Sequence, residues 1–438
     1  MSRRVGARRA LLVSPFAWAA FEWARLYATG QLWNAVGYTQ AYRPTLIQSA
    51  TWGGVYAVSF LILTINSALA YALLRRTTRA AAVFALAVLF TAALIVTSAL
   101  SSSTVVEEES YSVEDPPGAV VIAVQPNVTP NFERTQAETD ALVARHLSMA
   151  KTVLREWDAY LATIAPFGRE TREPPPYVRA WRATPRVVVF PESPMNFSYG
   201  RDSEFREIVS RFAREERTSV LFNSLEGAPA GGVYNSAVLI NEEGRLVAQY
   251  DKIRLLPFGE YVPLPRWLGG GMVSAIVGEF TPGAGYTLLP TGDARAGVFI
   301  CFESAFPSLS REFTRAGADV LINISNDGYL GRTPVLRQHL ANAIFRAVEN
   351  QRPVLRVTNS GITARITPRG KVTDETASFE PATRAWAVSR AAGGKTFYTR
   401  HGDLFVALCA VVTFLSVVLS QLSVAHRPRA ITDDQAAS

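Results

Sequence analysis

Three short stretches of the chain each place a reactive or charged side chain just after an apolar run. Glu192 follows VVVFP, Lys252 and Glu260 lie within YDKIRLLPFGEYVP, and Cys301 and Glu303 end the stretch GVFICFE. Strand ends in α/β sheets are where functional side chains collect, so we expect these residues to converge. A cysteine that attacks a carbonyl needs a base to take its proton and a cation to stabilise the oxyanion. We therefore predict a triad with Cys301 as nucleophile, Glu192 as base and Lys252 as cation.

The chain uses cysteine sparingly, with two among 438 residues. Cys409 lies in an apolar run near the C-terminus, so Cys301 is the only thiol of the long central segment. A lone thiol has no partner for a structural disulfide within its domain. It is therefore either buried and inert or retained for its chemistry, and its position at a strand end beside carboxylates favours chemistry.

Each of these side chains also has an ordinary structural interpretation. Glu192 could cap the segment that follows it, and Lys252 could form an ion pair with the aspartate beside it. Cys301 could be a core residue, and Glu260 and Glu303 could be solvated. The shared position of all three stretches after apolar runs is what supports the functional interpretation.

Other catalytic arrangements find little support in the sequence. The histidines of the central segment lack a comparable strand-end position, although a Cys–His pair that uses His339 stays open as an alternative. The chain contains no G-x-S-x-G elbow, no H-E-x-x-H motif and no C-x-x-C pair, so serine and zinc hydrolases are not indicated. We predict no metal and no other cofactor.

Four apolar segments are long enough to cross a bilayer, which takes about 20 residues. They cover approximately residues 10–28, 51–74, 80–100 and 404–424. Arginine clusters precede the first segment, separate the second from the third, and follow the fourth. By the positive-inside rule these clusters are cytoplasmic, so the central segment lies on the far side of the membrane. The basic clusters also account for much of the net charge of +7, which makes nucleic acid an unattractive partner.

The central segment alternates short apolar runs with longer amphipathic ones. Continuous apolar runs are typical of strands covered on both faces, and the alternation indicates an α/β domain of layered sheets with outer helices. The predicted strands begin near residues 119, 187, 219, 236, 297, 319 and 353, and the predicted helices begin near residues 135, 203 and 335. We divide the chain into a membrane region with three transmembrane helices (1–101), a linker (102–118), an extracytoplasmic domain (119–392), a return segment with a C-terminal transmembrane helix (393–425) and a cytoplasmic tail (426–438).

These motifs resemble the apolipoprotein N-acyltransferase family, the membrane-bound bacterial branch of the carbon–nitrogen hydrolase (nitrilase) superfamily. The resemblance rests on FPES, PFGEYVP, ICFE, NISNDGYLG, QHLANAIFRAVENQRPVLRVTNSG and, upstream, WNAVGYTQ. PFGEYVP together with NISND and a C-terminal span distinguishes this branch from soluble nitrilases. The resemblance implies an α-β-β-α sandwich inserted between transmembrane helices, three before it and one after it. It also implies a multi-pass protein of the bacterial inner membrane, with a periplasmic catalytic domain and both termini in the cytoplasm.

The activity that the resemblance implies is acyl transfer during lipoprotein maturation. A fatty acyl chain would pass from a membrane phospholipid to Cys301 as a thioester, and then to the N-terminal S-diacylglyceryl cysteine of an apolipoprotein. Glu192 matches the family's base and Lys252 its oxyanion-stabilising cation. Glu260 and Glu303 match supporting carboxylates. The implied partners are the phospholipid donor and the diacylglyceryl-modified apolipoprotein, and the protein is expected to be a monomer.

The chain departs from the family pattern in three respects. It has fewer candidate spans than the family usually carries, and Phe302 stands where a tyrosine is common beside the cysteine. Phe132 is only a candidate for the aromatic residue expected in QPNVTPNFERT. The apolar loop from Leu264 could rest in the membrane interface and admit acyl chains, or pack on the domain itself. Two alternatives remain open: a membrane-anchored extracytoplasmic amidase or nitrilase-like hydrolase with the same triad, and a catalytically inactive scaffold that binds lipoproteins.

Overall fold

The computed structural model describes residues 7–102, 116–129, 135–163, 176–192, 197–229, 231–262 and 280–425. The predicted cytoplasmic tail, most of the predicted linker, Phe132 and the loop from Leu264 lie outside these residues. In chain order the described helices are α1 (Ala7–Thr29), α2 (Ala50–Arg75), α3 (Thr78–Ser102), α4 (Gln136–Thr163), α5 (Pro176–Ala183), α6 (Ser203–Glu216), α7 (Pro307–Ala316), α8 (Val335–Asn350), α9 (Phe397–His401) and α10 (Leu404–Ala425).

The described strands all fall between α3 and α9. In chain order they are β1 (Ala119–Gln125), β2 (Arg186–Val189), β3 (Ser219–Gly227), β4 (Val233–Ile240), β5 (Leu246–Asp251), β6 (Leu288–Thr291), β7 (Ala294–Ile300), β8 (Val320–Ser325), β9 (Val354–Thr358), β10 (Ala364–Ile366), β11 (Val372–Thr373) and β12 (Ala382–Val388). The strands therefore occupy the part of the sequence in which an α/β domain is predicted.

Helices α1, α2, α3 and α10 coincide with the four apolar segments of the sequence. Among the described helices, three are long and apolar enough to cross a membrane: α2, α3 and α10. Helix α1 is not one of them, and it carries Glu22 and Arg25. Glu22 is buried and accepts hydrogen bonds from Trp18 Nε1 at 2.9 Å and Val36 N at 2.7 Å, so its carboxylate faces protein. The number of four spans stays a prediction.

A break in helix α2 joins the membrane region to the domain that follows it. Gly53 and Gly54 leave helical geometry, and Gly54 has φ +64°, a conformation that favours glycine. A Cβ at Gly54 would also lie 2.9 Å from the ring of Tyr398. The break leaves the backbone N–H of Val55 without a partner inside the helix, and Glu349 Oε1 of α8 accepts it at 2.9 Å. The membrane helix is thus attached to the α/β domain by a buried carboxylate.

The α/β domain contains two six-stranded sheets. The strand order is β12-β1-β2-β3-β4-β5 in the first sheet and β11-β10-β9-β8-β7-β6 in the second. Strands β1, β2 and β3 are parallel to one another, as are β7, β8 and β9, while the outer strands are antiparallel. Glu192 follows β2 and Cys301 follows β7, so each sheet supplies a candidate catalytic residue from the carboxyl end of a parallel strand.

The sheets pack face to face with helices outside them. Along β1, Val121 and Ala123 belong to the core shared with the second sheet, whereas Val120 and Ile122 pack with residues of α4 and α6. Helices α7 and α8 cover the second sheet through contacts with β7 and β9. This burial of both faces explains the continuous apolar runs, and the layering matches the α-β-β-α sandwich that the resemblance implies.

All seven predicted strands are present, and five further strands have no counterpart among the predictions. These are β5, β6, β10, β11 and β12, which are half-covered or only two or three residues long. Such strands lack the continuous apolar run on which the prediction rests. The prediction that the strand GVFIC ends on Cys301 is wrong by one residue, because β7 ends at Ile300 and Cys301 opens a 3-10 helix.

Candidate active site

Lys252 forms the centre of a buried cluster that contains two of the predicted carboxylates. The residue directly follows β5 and is 1% exposed. Its Nζ lies 2.8 Å from Glu260 Oε1 and 3.4 Å from Glu192 Oε1. Asn235 of β4 donates through Nδ2 to the same two oxygens, at 3.1 Å to Glu192 and 2.8 Å to Glu260. The fold therefore brings Glu192 to Lys252 and Glu260, from which it is distant in the sequence.

Backbone groups hold the other oxygen of each carboxylate. Glu192 Oε2 accepts the N–H of Asn326, just beyond β8, at 3.1 Å. Glu260 Oε2 accepts the N–H of Leu256 at 2.7 Å. Each carboxylate is thus fixed on one side by the main chain and presents its other oxygen to the lysine and Asn235. Such fixed hydrogen bonds orient the charges before any substrate arrives.

Charge compensation keeps Lys252 protonated. Burial alone would lower the pKa of its ammonium group, but the carboxylates of Glu192 and Glu260 outweigh that effect and raise the pKa above its ordinary value. The side chain therefore carries a full positive charge throughout the physiological pH range. A permanent cation in a buried cavity suits the stabilisation of a developing oxyanion.

Cys301 stands at the turn between β7 and a short 3-10 helix. It is partly exposed and has a φ of +53°, in the left-handed region that residues other than glycine rarely adopt. Desolvation raises the pKa of its thiol well above the usual range, the charge of Glu192 raises it further, and Lys252 lowers it. The charges of both groups therefore influence the pKa of the thiol. The resting residue is a neutral thiol, which needs a base at the moment of attack.

Glu303 connects the lysine segment to the cysteine turn without touching the lysine. Its Oε1 accepts the hydroxyl of Tyr250 at 2.8 Å and the N–H groups of Ile253 and Arg254 at 2.8 and 3.0 Å. Its Oε2 accepts the N–H of Ile300 at 2.8 Å, directly before the cysteine. The predicted supporting carboxylate is thus completely buried, and it connects the segment around Lys252 to the end of β7.

His339 lies beside Cys301 but contacts its backbone. Its Nε2 is 3.2 Å from the carbonyl oxygen of Cys301, and its Nδ1 is 2.9 Å from Asp327 Oδ1. A carbonyl oxygen only accepts hydrogen bonds, so Nε2 is the donor. That arrangement leaves no lone pair on Nε2 to remove the thiol proton, and it disfavours the Cys–His alternative.

Two residues of the site escape the sequence reasoning. Asn235 bridges both carboxylates, and Tyr250 donates to Glu303. A signal for Asn235 does exist, since Asn235 and Ser236 are polar residues within the otherwise apolar strand VYNSAVLI. Tyr250 carries no such signal, because a tyrosine in a strand is ordinary. Among the residues that the structure describes, no cluster of three His, Cys, Asp or Glu side chains could hold a metal ion.

Because the amide of Asn235 donates to both carboxylates, we can predict the effect of Asn235→Asp. The new carboxylate would replace a donor to two carboxylates with a third negative charge near Lys252. We expect the reaction of Cys301 with iodoacetamide to slow about tenfold, which corresponds to an increase of about one unit in the thiol pKa. Asn241→Asp on the β4–β5 turn is the matched control, because its side-chain oxygen accepts the N–H of Arg245 and an aspartate can do the same. Equal alkylation rates in the Asn235 variant and the wild type would contradict this role.

Comparison with known proteins relates most of the chain to one family. The family model "carbon-nitrogen hydrolase" matches residues 121–395, and the model "apolipoprotein N-acyltransferase N-terminal domain" matches residues 1–68. The apolipoprotein N-acyltransferase of Geobacter metallireducens is 33% identical over 411 residues, which cover 91% of this chain and 72% of that protein.

Two further relatives carry the same name. The apolipoprotein N-acyltransferase of Allorhizobium ampelinum is 30% identical over 80% of this chain and 62% of its own length. That of Chlorobaculum tepidum is 28% identical over 93% of this chain and 76% of its own length. This chain therefore spans 62 to 76% of the length of the three relatives. The chain belongs to the apolipoprotein N-acyltransferase family, within the carbon–nitrogen hydrolase superfamily.

Proposed function

We propose that this protein transfers a fatty acyl chain from a membrane phospholipid, through a thioester on Cys301, to the N-terminal S-diacylglyceryl cysteine of an apolipoprotein. The observation that carries the proposal is the buried cluster of Glu192, Lys252 and Glu260 beside the only thiol of the α/β domain. The charges of Glu192 and Lys252 both act on that thiol. Membership of the family supplies the substrate classes.

In the first half-reaction Glu192 acts as the base. It takes the thiol proton of Cys301 as the sulfur attacks the ester carbonyl of the phospholipid. The oxyanion of the tetrahedral intermediate forms beside the ammonium group of Lys252. The C–O ester bond then breaks, and the proton on Glu192 passes to the departing glycerol oxygen. The products are a lysophospholipid and an acyl thioester on Cys301.

In the second half-reaction the acceptor amine replaces the ester. The free α-amino group of the diacylglyceryl cysteine attacks the thioester carbonyl and gives a proton to Glu192. Lys252 again stabilises the oxyanion. The C–S bond breaks, the sulfur of Cys301 regains the proton, and an amide is released. This sequence is a ping-pong reaction, in which Glu260 holds the lysine and Glu303 holds the cysteine turn.

The apolar helices support the proposal that both substrates are anchored in a membrane. Helices α2, α3 and α10 are apolar enough to hold the domain at a bilayer, and the basic residues Arg75, Arg76 and Arg79 lie at the junction of α2 and α3. By the positive-inside rule we propose that this junction is cytoplasmic, so that residues 119–392 face the periplasm and both termini lie in the cytoplasm. Both substrates are then confined to the same membrane surface as the enzyme. We expect the protein to act as a monomer.

Mass spectrometry of the purified protein after incubation with phospholipid tests the first half-reaction. We expect a hydroxylamine-sensitive acyl adduct on the wild type and none on Cys301→Ala. Cys409→Ala removes the other thiol and should retain the adduct, which makes it the matched control. A folded wild-type protein with a reactive thiol but no adduct would rule out phospholipid as the acyl donor.

The acceptor is tested by a chase of the adduct. A synthetic peptide with an N-terminal S-diacylglyceryl cysteine is added to the acyl-enzyme, and the acyl chain is followed. We expect it to appear as an amide on the peptide. Release as free fatty acid, at a rate that the peptide does not change, would instead indicate the hydrolase alternative, in which water is the acceptor.

A further inference from the structure

The left-handed backbone of Cys301 needs contacts that hold it. A residue other than glycine keeps a φ of +53° only where its surroundings leave it no relaxed alternative. Two side chains form hydrogen bonds with the main chain, one just before this residue and one at its own carbonyl group. Before it, the N–H of Ile300 donates to Glu303 Oε2 at 2.8 Å. After it, the carbonyl oxygen of Cys301 itself accepts His339 Nε2 at 3.2 Å.

His339 is rigidly placed by a buried ion pair. Its Nδ1 lies 2.9 Å from Asp327 Oδ1 and 3.0 Å from Arg356 Nη2. Arg356 Nη2 in turn donates to Asp327 Oδ2 at 2.7 Å. None of the three side chains is more than 2% exposed. The imidazole therefore cannot turn away from the carbonyl oxygen of Cys301 without breaking a fully buried network.

The membrane region closes the other side of the imidazole. Trp33, in the segment between α1 and α2, has its ring centroid 4.9 Å from that of His339. The same indole stacks on Phe302 with centroids 5.8 Å apart and planes 22° apart. Gln338 Nε2 donates to the carbonyl oxygen of Trp33 at 3.2 Å. The residue after the nucleophile and the histidine behind it are thus packed against one aromatic side chain.

We propose that His339 is a positioning residue: it donates a hydrogen bond to the carbonyl oxygen of Cys301 and so maintains the turn from which the thiol reacts. The inference rests on the proposed role of Cys301 as nucleophile. It requires a hydrogen-bond donor at the position of Nε2, and it requires no proton transfer. The network of Asp327 and Arg356 serves to orient that donor. This role differs from that of the base, which belongs to Glu192.

Two polar variants separate the contacts of the two ring nitrogens. In His339→Gln the side-chain amide reaches the position of Nε2 and can still donate to the carbonyl oxygen of Cys301. In His339→Asn the amide reaches only the position of Nδ1, so it keeps the contact with Asp327 and loses the carbonyl. Both variants retain a polar group in the buried network. His146→Gln is the control for replacing a buried histidine, because His146 bonds within α4, to the carbonyl oxygen of Leu142.

All variants are compared in the full chain with Cys409→Ala, so that Cys301 is the only thiol. The first measurement is the rate of alkylation by iodoacetamide at pH 8, which needs no lipid substrate. The second is the single-turnover rate of acyl-adduct formation across a range of phospholipid concentrations and pH values. We expect His339→Asn to slow alkylation at least fivefold and to lower the maximal acylation rate at least tenfold. The half-saturating phospholipid concentration should stay unchanged, because the turn and not the lipid contact is affected.

For His339→Gln we expect both rates to stay within threefold of the wild type, with the same pH profile. Wild-type rates in a folded His339→Asn variant would overturn the proposal. So would a His339→Gln variant as slow as His339→Asn that has lost one limb of the pH profile, since that result would make the imidazole a base. If the wild type forms no acyl adduct at all, the proposed function fails, while the ranking of the alkylation rates still tests the role of His339.

Discussion

Replacing Lys252 with methionine is expected to abolish acyl transfer and to destabilise the protein. The side chain of Lys252 is 2% exposed and is the cation between the carboxylates of Glu192 and Glu260. Loss of the charge leaves two buried carboxylates that share the donor Asn235 and repel each other. Removing one partner of a buried ion pair typically costs about 3–5 kcal/mol of folding free energy. Removing an oxyanion donor costs about 10²- to 10³-fold in rate, and here the base is disturbed as well.

A double variant separates the two effects of Lys252→Met. Adding Glu260→Gln removes one of the two uncompensated carboxylates while its amide oxygen can still accept the N–H of Leu256. Thermal unfolding in detergent should show a large loss for Lys252→Met and a partial recovery in the double variant. Acyl-adduct formation should stay absent in both, because neither has a cation beside the sulfur. Adduct formation at the wild-type rate in either variant would exclude Lys252 as the oxyanion-stabilising group.

Glu303→Gln is expected to have the second largest effect, although the two side chains have nearly the same shape. The carboxylate of Glu303 accepts four hydrogen bonds, three on Oε1 and one on Oε2. An amide presents one oxygen and one NH₂ group, so at least one buried donor meets another donor. If the oxygen keeps the three donors, the unpaired group is the N–H of Ile300, directly before Cys301. A buried donor without a partner costs about 1–3 kcal/mol.

The measurements for Glu303→Gln are the acylation rate and the unfolding temperature. We expect the acylation rate to fall at least about 10²-fold, in line with the loss of a group that preorganises the site. Glu312→Gln on α7 is the control, since that carboxylate pairs with arginines near the surface. An acylation rate within a factor of two of the wild type would show that Glu303 does not hold the cysteine turn.

The same variant should alter the pH dependence of stability. Burial raises the pKa of Glu303 from 4.5 to about 7, despite its four donors, and burial likewise raises that of Glu349 to about 7. Between pH 4.5 and 7 the folded protein therefore binds protons that the unfolded chain releases, so these groups make stability fall as pH rises through that window. Glu303→Gln should remove the contribution of Glu303 to this fall and leave that of Glu349 in place, which the unfolding temperature measured against pH will show.

The sequence alone singles out Glu192, Lys252 and Cys301 as candidate catalytic residues, and their catalytic roles stay a prediction. Glu192 and Cys301 each follow a strongly apolar run, and such runs form parallel strands buried on both faces, whose carboxyl ends are where functional side chains collect. Lys252 instead follows β5, a half-covered antiparallel strand. The local pattern therefore marks these positions as candidates for a functional site, and the residue types suggest nucleophilic attack on a carbonyl. The same reasoning places the membrane helices, because a long apolar segment needs no tertiary partner to be recognised. Weakly apolar edge strands such as β5 are not predicted in this way.

Only the tertiary structure decides which group bonds to which. Asn235 and Glu192 are 43 residues apart, and His339 and Cys301 are 38 apart, so no local spacing relates them. The left-handed turn at Cys301 is likewise not predictable from GVFICFE, because one of the contacts that hold it comes from His339 on α8. Whether a segment forms a strand depends mainly on its own residues. Which groups form hydrogen bonds depends on how the two sheets and the broken helix α2 pack against one another. For this reason the sequence predicts the triad, and the packing decides the positions of the donors and carboxylates that orient it.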